Sequence, residues 1–291
     1  MTVFAYLDIE NPIVAWGVYR GVLVSAKADG DLSHPCTVSM MFASMVRNRN
    51  GVQLQNELIL EEFRQAQFPQ CVSRLAGMYF FEGLDAAKSA ASWGEHFTKE
   101  CLSEIELFPT VGASRHDANW ISYAPRDRDH RYTETCWFKN YWAGDPYPLA
   151  LPVWEIVANG RGVVMTTAVR FRARETITSR WPDVLGLMEY SRVAAYMGFD
   201  FGQTVAWLGN TTEGSVRLEY MFDNRDQTNP EFAKAVQNFT GHVNQADLAV
   251  GGEYFVLPDF RSYGCEFEMG TSLTDALIHG VHHNAAKQTA S

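Results

Sequence analysis

The sequence predicts a mixed α+β protein, and three observations predict it. Several short segments alternate apolar and polar residues with the period of a strand, as in Ser215 to Phe222, where Val216, Leu218, Tyr220 and Phe222 share a side. Others keep helical spacing, as in Val52 to Gln65 with Leu54, Leu58 and Ile59. The order of these segments lacks the regular β-α alternation that a doubly wound parallel sheet requires. Neither G-x-G-x-x-G nor G-x-x-x-x-G-K-[ST] occurs, so the common phosphate loops are excluded.

Element by element, a strand is expected near Val14 to Val24, a helix over Val52 to Gln65 stopped by Pro69, and a strand over Leu75 to Glu82. Asp85 reads as the N-cap of a helix to Phe97, whose alanines would let it lie close to a sheet. Cys101 to Leu107 alternates as a half-buried strand, and Thr110 to Asp145 reads as a long polar loop of the kind that covers sites. Asn159-Gly160 is a hairpin pair, with strands expected at Val153 to Val157 and Gly162 to Phe171. Beyond it Ile177, Trp181, Leu185 and Met188 fall on one face of a long helix, with Pro182 near its first turn and Gly198 at its end. Strands at Gln203 to Leu208, Ser215 to Phe222, Glu253 to Leu257 and Cys265 to Met269, and a helix over Pro230 to Phe239, complete the chain; the polar tail after Gly280 should fray.

With 291 residues, the chain has room for two domains; 46% apolar and 20% charged residues exclude disorder as its main state. A formal charge of -10 argues against a general binder of nucleic acid or anionic membrane. No apolar run approaches a membrane span, and the start carries no leader-like pattern. Five scattered cysteines without a C-x-x-C pair read as reduced thiols of a cytoplasmic protein.

Three clusters could carry chemistry. Tyr19-Arg20-Gly21 puts a cation in an apolar segment, where it must be paired, reach solvent or face a ligand. Ser73-Arg74-Leu75 is a basic entry to the aromatic run Met78-Tyr79-Phe80-Phe81. Tyr141-Trp142-Ala143-Gly144-Asp145 is followed by Val153-Trp154-Glu155-Ile156-Val157, where Glu155 shares a strand face with Val153 and Val157 and is either an ion-pair member or a functional acid. The plainer alternative pairs Arg20 and Arg74 with Glu57, Glu61 or Glu62 and leaves the aromatic residues in the core. His279, His282 and His283 belong to the polar tail, and no metal site is expected.

Glu57 to Trp93, with Glu-x4-Glu-Phe-Arg, Phe68-Pro69, Ser73-Arg74-Leu75, the aromatic strand and the Ala-rich helix, resembles a bacterial family of uncharacterised proteins with ADP-ribosyltransferase-like domains. Tyr141-Trp142-x-Gly144, Trp154-Glu155-Ile156-Val157-x-x-Gly160 and Asp117-Ala118-Asn119-Trp120-Ile121 fit the same pattern, and the resemblance covers roughly residues 10 to 170. It implies a split, strongly bent sheet that clasps NAD as substrate, within an NAD-binding domain over residues 1–170. Residues 171–291 would then form a second, smaller α+β region that recognises a macromolecular acceptor. Tyr19 and Arg20 would stand at the first-strand position, Ser73, Arg74 and Tyr79 at the middle one, and Glu155 at the catalytic one, with Arg20, Arg74 and Glu155 meeting in one cleft. Arg20 in place of the His of the diphtheria-toxin-like branch resembles the other branch. In such a site a carboxylate stabilises the positive ribose as the nicotinamide bond breaks, an Arg neutralises the pyrophosphate, and Tyr79 stacks on the nicotinamide. A catalytically silent nucleotide- or protein-binding module on the same fold is the alternative.

Two further likenesses compete. Asn159-Gly160 through Gly202 resembles the dUMP-binding half of thymidylate synthases, but Leu149 and Ala150 stand where that family needs its cysteine, and Thr212 and Gly214 near its nucleotide-gripping His and Tyr. Without a thiolate there is no covalent attack on a pyrimidine, which leaves at most a degenerate nucleotide binder. Glu266-Phe267-Glu268 resembles the Glu-x-Glu of arginine-specific ADP-ribosyltransferases, or else is a solvated strand face.

Overall fold

The computed structural model describes residues 1–26, 37–48, 51–94, 97–212, 214–251 and 254–268. The elements run β1 (Thr2–Tyr6), α1 (Pro12–Arg20), β2 (Val22–Val24), β3 (Thr37–Val38), α2 (Met40–Arg47), α3 (Gly51–Gln67), β4 (Met78–Phe81), α4 (Leu84–Ser89), β5 (Leu102–Asp117), α5 (Asn119–Ser122) and α6 (Phe138–Ala143). There follow β6 (Trp154–Val164), α7 (Thr167–Arg180), α8 (Leu185–Tyr196), β7 (Thr204–Thr212), β8 (Ser215–Phe222), α9 (Pro230–Gln237), α10 (Gln245–Leu248) and β9 (Cys265–Glu268). The protein is α+β.

Two antiparallel sheets organise it. In the first, β2-β6-β4-β1-β5, strand β5 also pairs with β6, so that β1, β4, β5 and β6 close on themselves through a single β1–β4 bridge, Phe4 to Phe81. The second has the order β3-β7-β8-β9. One face of the first sheet, with Phe80, Ile105, Ile156 and Ala158, packs with α1, α7 and α8 through Trp16, Ile177, Leu187 and Met188. A second cluster joins Val216 and Leu218 of β8 to Phe42 of α2 and Leu54 of α3. A third gathers Leu60, Trp137, Phe138, Tyr141 and Trp142. The largest cluster draws on residues from Val3 to Tyr263, and the boundary expected after residue 170 falls inside α7.

Several elements differ from the sequence reading. Val14 to Val24 is not one strand: Asn11 caps a helix by accepting from the Ile13 N–H, Pro12 opens it, and Gly21 ends it at φ +89°. Arg20 therefore stands at a helix C-terminus. Thr110 to Asp117, expected as loop, continues β5 to a length of 16 residues. Asn159-Gly160 does not turn; β6 runs straight through it, opposite the irregularity between Pro109 and Gly112 in β5. Gly is needed there because a Cβ at position 160 would lie 2.3 Å from the Phe108 carbonyl oxygen. The expected strand from Gly162 stops at Val164, and helix α7 follows. The expected long helix is two, because Pro182 lacks the N–H to continue it and opens a 3₁₀ turn between α7 and α8. Gly83, not Asp85, takes the N-cap of α4, which ends at Ser89.

Tyr254 to Leu257 is irregular and exposed, with Glu253 outside the described residues. Cys36, Met269 and the three tail histidines also lie outside them. Strand β8 and helices α3 and α9 stand close to where their periodicity puts them.

Replacing Gly160 by Ala should cost about 2–3 kcal/mol, the upper range for a single substitution, because the backbone of β5 must move. Gly83→Ala, which meets nothing within 4 Å, should stay within about 0.5 kcal/mol. Denaturant unfolding of both variants tests the pair; equal stabilities would contradict the close approach.

Candidate active site

Register on the first sheet sets the site. Glu155 of β6 is paired with Phe81 of β4 on one side and His116 of β5 on the other, and Val157 with Tyr79 and Ser114. Paired residues share a face, so Glu155, Tyr79 and His116 lie on the side opposite Phe80 and Ile156. Arg74 comes from the tight turn before β4, where the Gly77 N–H donates to the Ser73 carbonyl. A Cβ on Gly77 would be 2.7 Å from Val157, so glycine lets this turn press onto β6.

Arg74 is the hub. Its Nε and Nη2 donate to the two oxygens of Glu57 at 2.9 and 3.1 Å, a bidentate pair from α3. Its Nη1 donates to the Tyr141 hydroxyl at 2.7 Å and to Glu155 Oε1 at 3.0 Å, while the Tyr141 hydroxyl donates to the same Oε1 at 2.7 Å. The Tyr79 hydroxyl donates to the Arg74 carbonyl, and the guanidinium lies 4.8 Å from the Tyr79 ring centroid. All of Arg74, Glu57, Glu155 and Tyr141 are buried. The carboxylates around Arg74 outweigh its desolvation and raise its pKa well above the usual arginine value; burial and the carboxylates raise Tyr79 and Tyr141, which stay protonated donors. Glu61 and Arg64 form a second buried pair on α3, and Arg64 Nη1 reaches the Cys71 carbonyl at 2.8 Å, which ties α3 to the segment leading to Arg74.

His116 backs the cluster. Its ring stacks on Tyr141 at 4.6 Å, Nδ1 lies 2.8 Å from the Tyr141 carbonyl and Nε2 lies 2.9 Å from the Ser114 hydroxyl. A carbonyl only accepts, so Nδ1 carries the proton, and Nε2 accepts from Ser114, whose oxygen takes the Val72 N–H. Burial pushes the imidazole pKa down to about 4.

Beside this cluster a groove of about 650 Å³ runs between the two sheets. Arg74, Tyr79, Glu155 and Arg20 line it, with Met40 of α2 and Thr204 of β7 across from β4. Tyr19 and Ser73 do not. The Tyr19 hydroxyl donates to Glu189 on α8 at 3.1 Å, and burial with that carboxylate pushes its pKa up to about 12. The Ser73 hydroxyl oxygen accepts from the Leu75 N–H within its own turn. Arg20 is not paired with Glu57, Glu61 or Glu62; its Nη2 donates to the Phe199 carbonyl. Glu266 and Glu268 are exposed on β9, away from this groove's lining.

The sequence reading missed Tyr141 as the partner of Glu155, and His116 altogether. The Tyr141 to Gly144 stretch did carry a signal, since Gly144 at φ +77° ends α6 just after the tyrosine. Among the described residues no group of three or more His, Cys, Asp or Glu could hold a metal, and no helix is long and apolar enough to cross a membrane.

The chain was compared with protein-family models, with curated proteins and with solved structures. None matches.

Arg74→Ala strands two buried carboxylates and should lower stability by about 3–5 kcal/mol in denaturant unfolding; a loss below about 1 kcal/mol would contradict a buried network. Below pH 6.5 the unfolded imidazole of His116 takes a proton that the folded site refuses. Stability is therefore fully present above about pH 6.5 and falls as pH drops toward 4, by about 3 kcal/mol for this residue. Melting curves across that window should show a shallower dependence in His116→Gln than in the parent protein, and identical slopes would refute a neutral buried imidazole.

Proposed function

We propose that the protein binds NAD in this groove and transfers its ADP-ribose to a macromolecular acceptor, with Glu155 as the catalytic acid group. The observation that carries the reading is the state of the Glu155 carboxylate. Its Oε1 is fixed by Tyr141 and Arg74, while Oε2 makes no hydrogen bond to the described residues and Glu155 stands on the groove wall. A carboxylate locked at one oxygen and open at the other is preorganised to take a ribose 2′-hydroxyl and to face the positive charge that grows on that ribose as the nicotinamide leaves. Formal charge supports the same role: one guanidinium sits between two carboxylates, Glu57 and Glu155, so the cluster keeps an excess negative charge at that place. The Tyr79 ring can meet the nicotinamide. Residues 171–291 are proposed to contribute to acceptor recognition, and a finer likeness of the first sheet to the bent ADP-ribosyltransferase sheet belongs to this proposal as well.

Arg74 does not fit its expected part. Four of its five N–H donors go to Glu57, Tyr141 and Glu155, so it positions the acid and is not free to clamp a pyrophosphate bidentately. This same observation favours a second reading, a silent module that captures a nucleotide without turning it over.

Incubation with labelled NAD and cell lysate separates the two: transfer of label to an acceptor supports the enzyme, and saturable binding without transfer supports the module. Glu155→Gln keeps shape and loses charge, so NAD affinity should hold while transfer falls by about 10²-fold or more. If that variant melts much lower and loses activity only in proportion, Glu155 is a structural ion-pair member.

A further inference from the structure

Arg20 is a buried cation outside the Arg74 network and, unlike Arg64, it makes no ion pair with the described residues. It is only 2% exposed, at the C-terminus of α1, where β2 begins. Its Nη2 is held by the Phe199 carbonyl, but Nε and Nη1, which carry three of the five guanidinium N–H groups, are buried without a hydrogen-bond partner among the described residues. Carboxylates stand near it and are committed elsewhere. Asp200 pairs with Arg161 at 3.0 Å, Asp223 with Arg225, and Asp226 accepts from the backbone N–H groups of Asp200 and Phe201. Burial lowers the Arg20 pKa to about 10, which still leaves it charged at neutral pH. A charged group whose donors are buried and unfilled is costly. Arg20 also lines the 650 Å³ groove, together with Leu23 and Gln203.

We propose that Arg20 is an oxyanion-binding site of the groove, filled by the phosphate or carboxylate of a ligand whose apolar part lies along Leu23, Met40 and Met78. The proposal rests on the groove being a ligand site and deepens that reading by naming an anionic group on the ligand; it does not require that ligand to be NAD. The unfilled donors are closed from solvent in the free protein, so the anion reaches them as the Arg20 head turns toward the groove, and the apo protein carries an instability that binding removes.

The probes are inorganic phosphate and acetate, each compared with sodium chloride at equal ionic strength, on the full chain and on Arg20→Met and Arg20→Lys. Phosphate, acetate or both should raise the melting temperature of the parent protein by about 2–4 °C near saturation, and which of them acts tells phosphate from carboxylate. Arg20→Met should abolish the response while melting no lower than the parent in chloride, since it removes an unpaired buried charge. Arg20→Lys keeps the charge on a different head and should weaken binding by about tenfold or more; it carries the comparison if the methionine variant does not fold. Equal responses in the three proteins, or a parent response no larger than in chloride, would overturn the proposal. An Arg20-dependent response in a protein that binds no NAD would keep the oxyanion site and reject only the NAD reading.

Discussion

The guanidinium of Arg74, closed between Glu57 and Glu155, is the constraint on which the site depends. It joins three parts of the fold that no continuous element connects: the buried face of α3, the turn before β4, and the start of β6. Buried ion pairs contribute little net stability, because the ions lose their hydration, but they are strict about geometry. Here the geometry has a consequence. The Tyr141 hydroxyl accepts from Arg74 and donates to Glu155, so the position of the acid follows from α3, α6 and β4 together. Chains of polarised hydrogen bonds of this kind fix an orientation more firmly than their pairwise parts suggest.

The remainder of the fold serves this placement. The long β5–β6 ladder holds Glu155 and His116 in register, and the irregularity between Pro109 and Gly112 opposite Gly160 lets both strands run on, with their ends pairing toward β2 and toward the site. Helices α1, α7 and α8 fill the face behind the sheet, and α2 with β7 supplies the far wall of the groove. Tyr19 and Arg20, adjacent in sequence, part company because a helix turns them by 100°: the tyrosine meets Glu189 and the arginine meets the groove.

Strong periodicity was legible in the sequence. Val216, Leu218 and Tyr220 alternate into the core of β8, and Leu54 and Leu58 repeat along α3, as their spacing requires. Punctuation was harder. Asn11-Pro12 and Gly21 mark a nine-residue helix, yet its apolar content equally suits a strand, and Asn159-Gly160 is a hairpin signal that the bulge on the neighbouring strand overrides. Of the site, the residue types Arg74 and Glu155 stood out because charges between apolar neighbours need partners, and Glu57 was among the partners weighed. Their mutual engagement depends on three-dimensional register, as does the role of Tyr141, and no spacing within one segment encodes it.

The most direct measurement is a crystal structure of the full chain grown or soaked with NAD. The dinucleotide should lie in the groove, with a ribose hydroxyl within about 2.6–3.2 Å of Glu155 Oε2 and the Arg74–Glu57 pair unchanged. NAD bound elsewhere, or held in the groove with Oε2 still unbonded, would contradict the proposed role of Glu155.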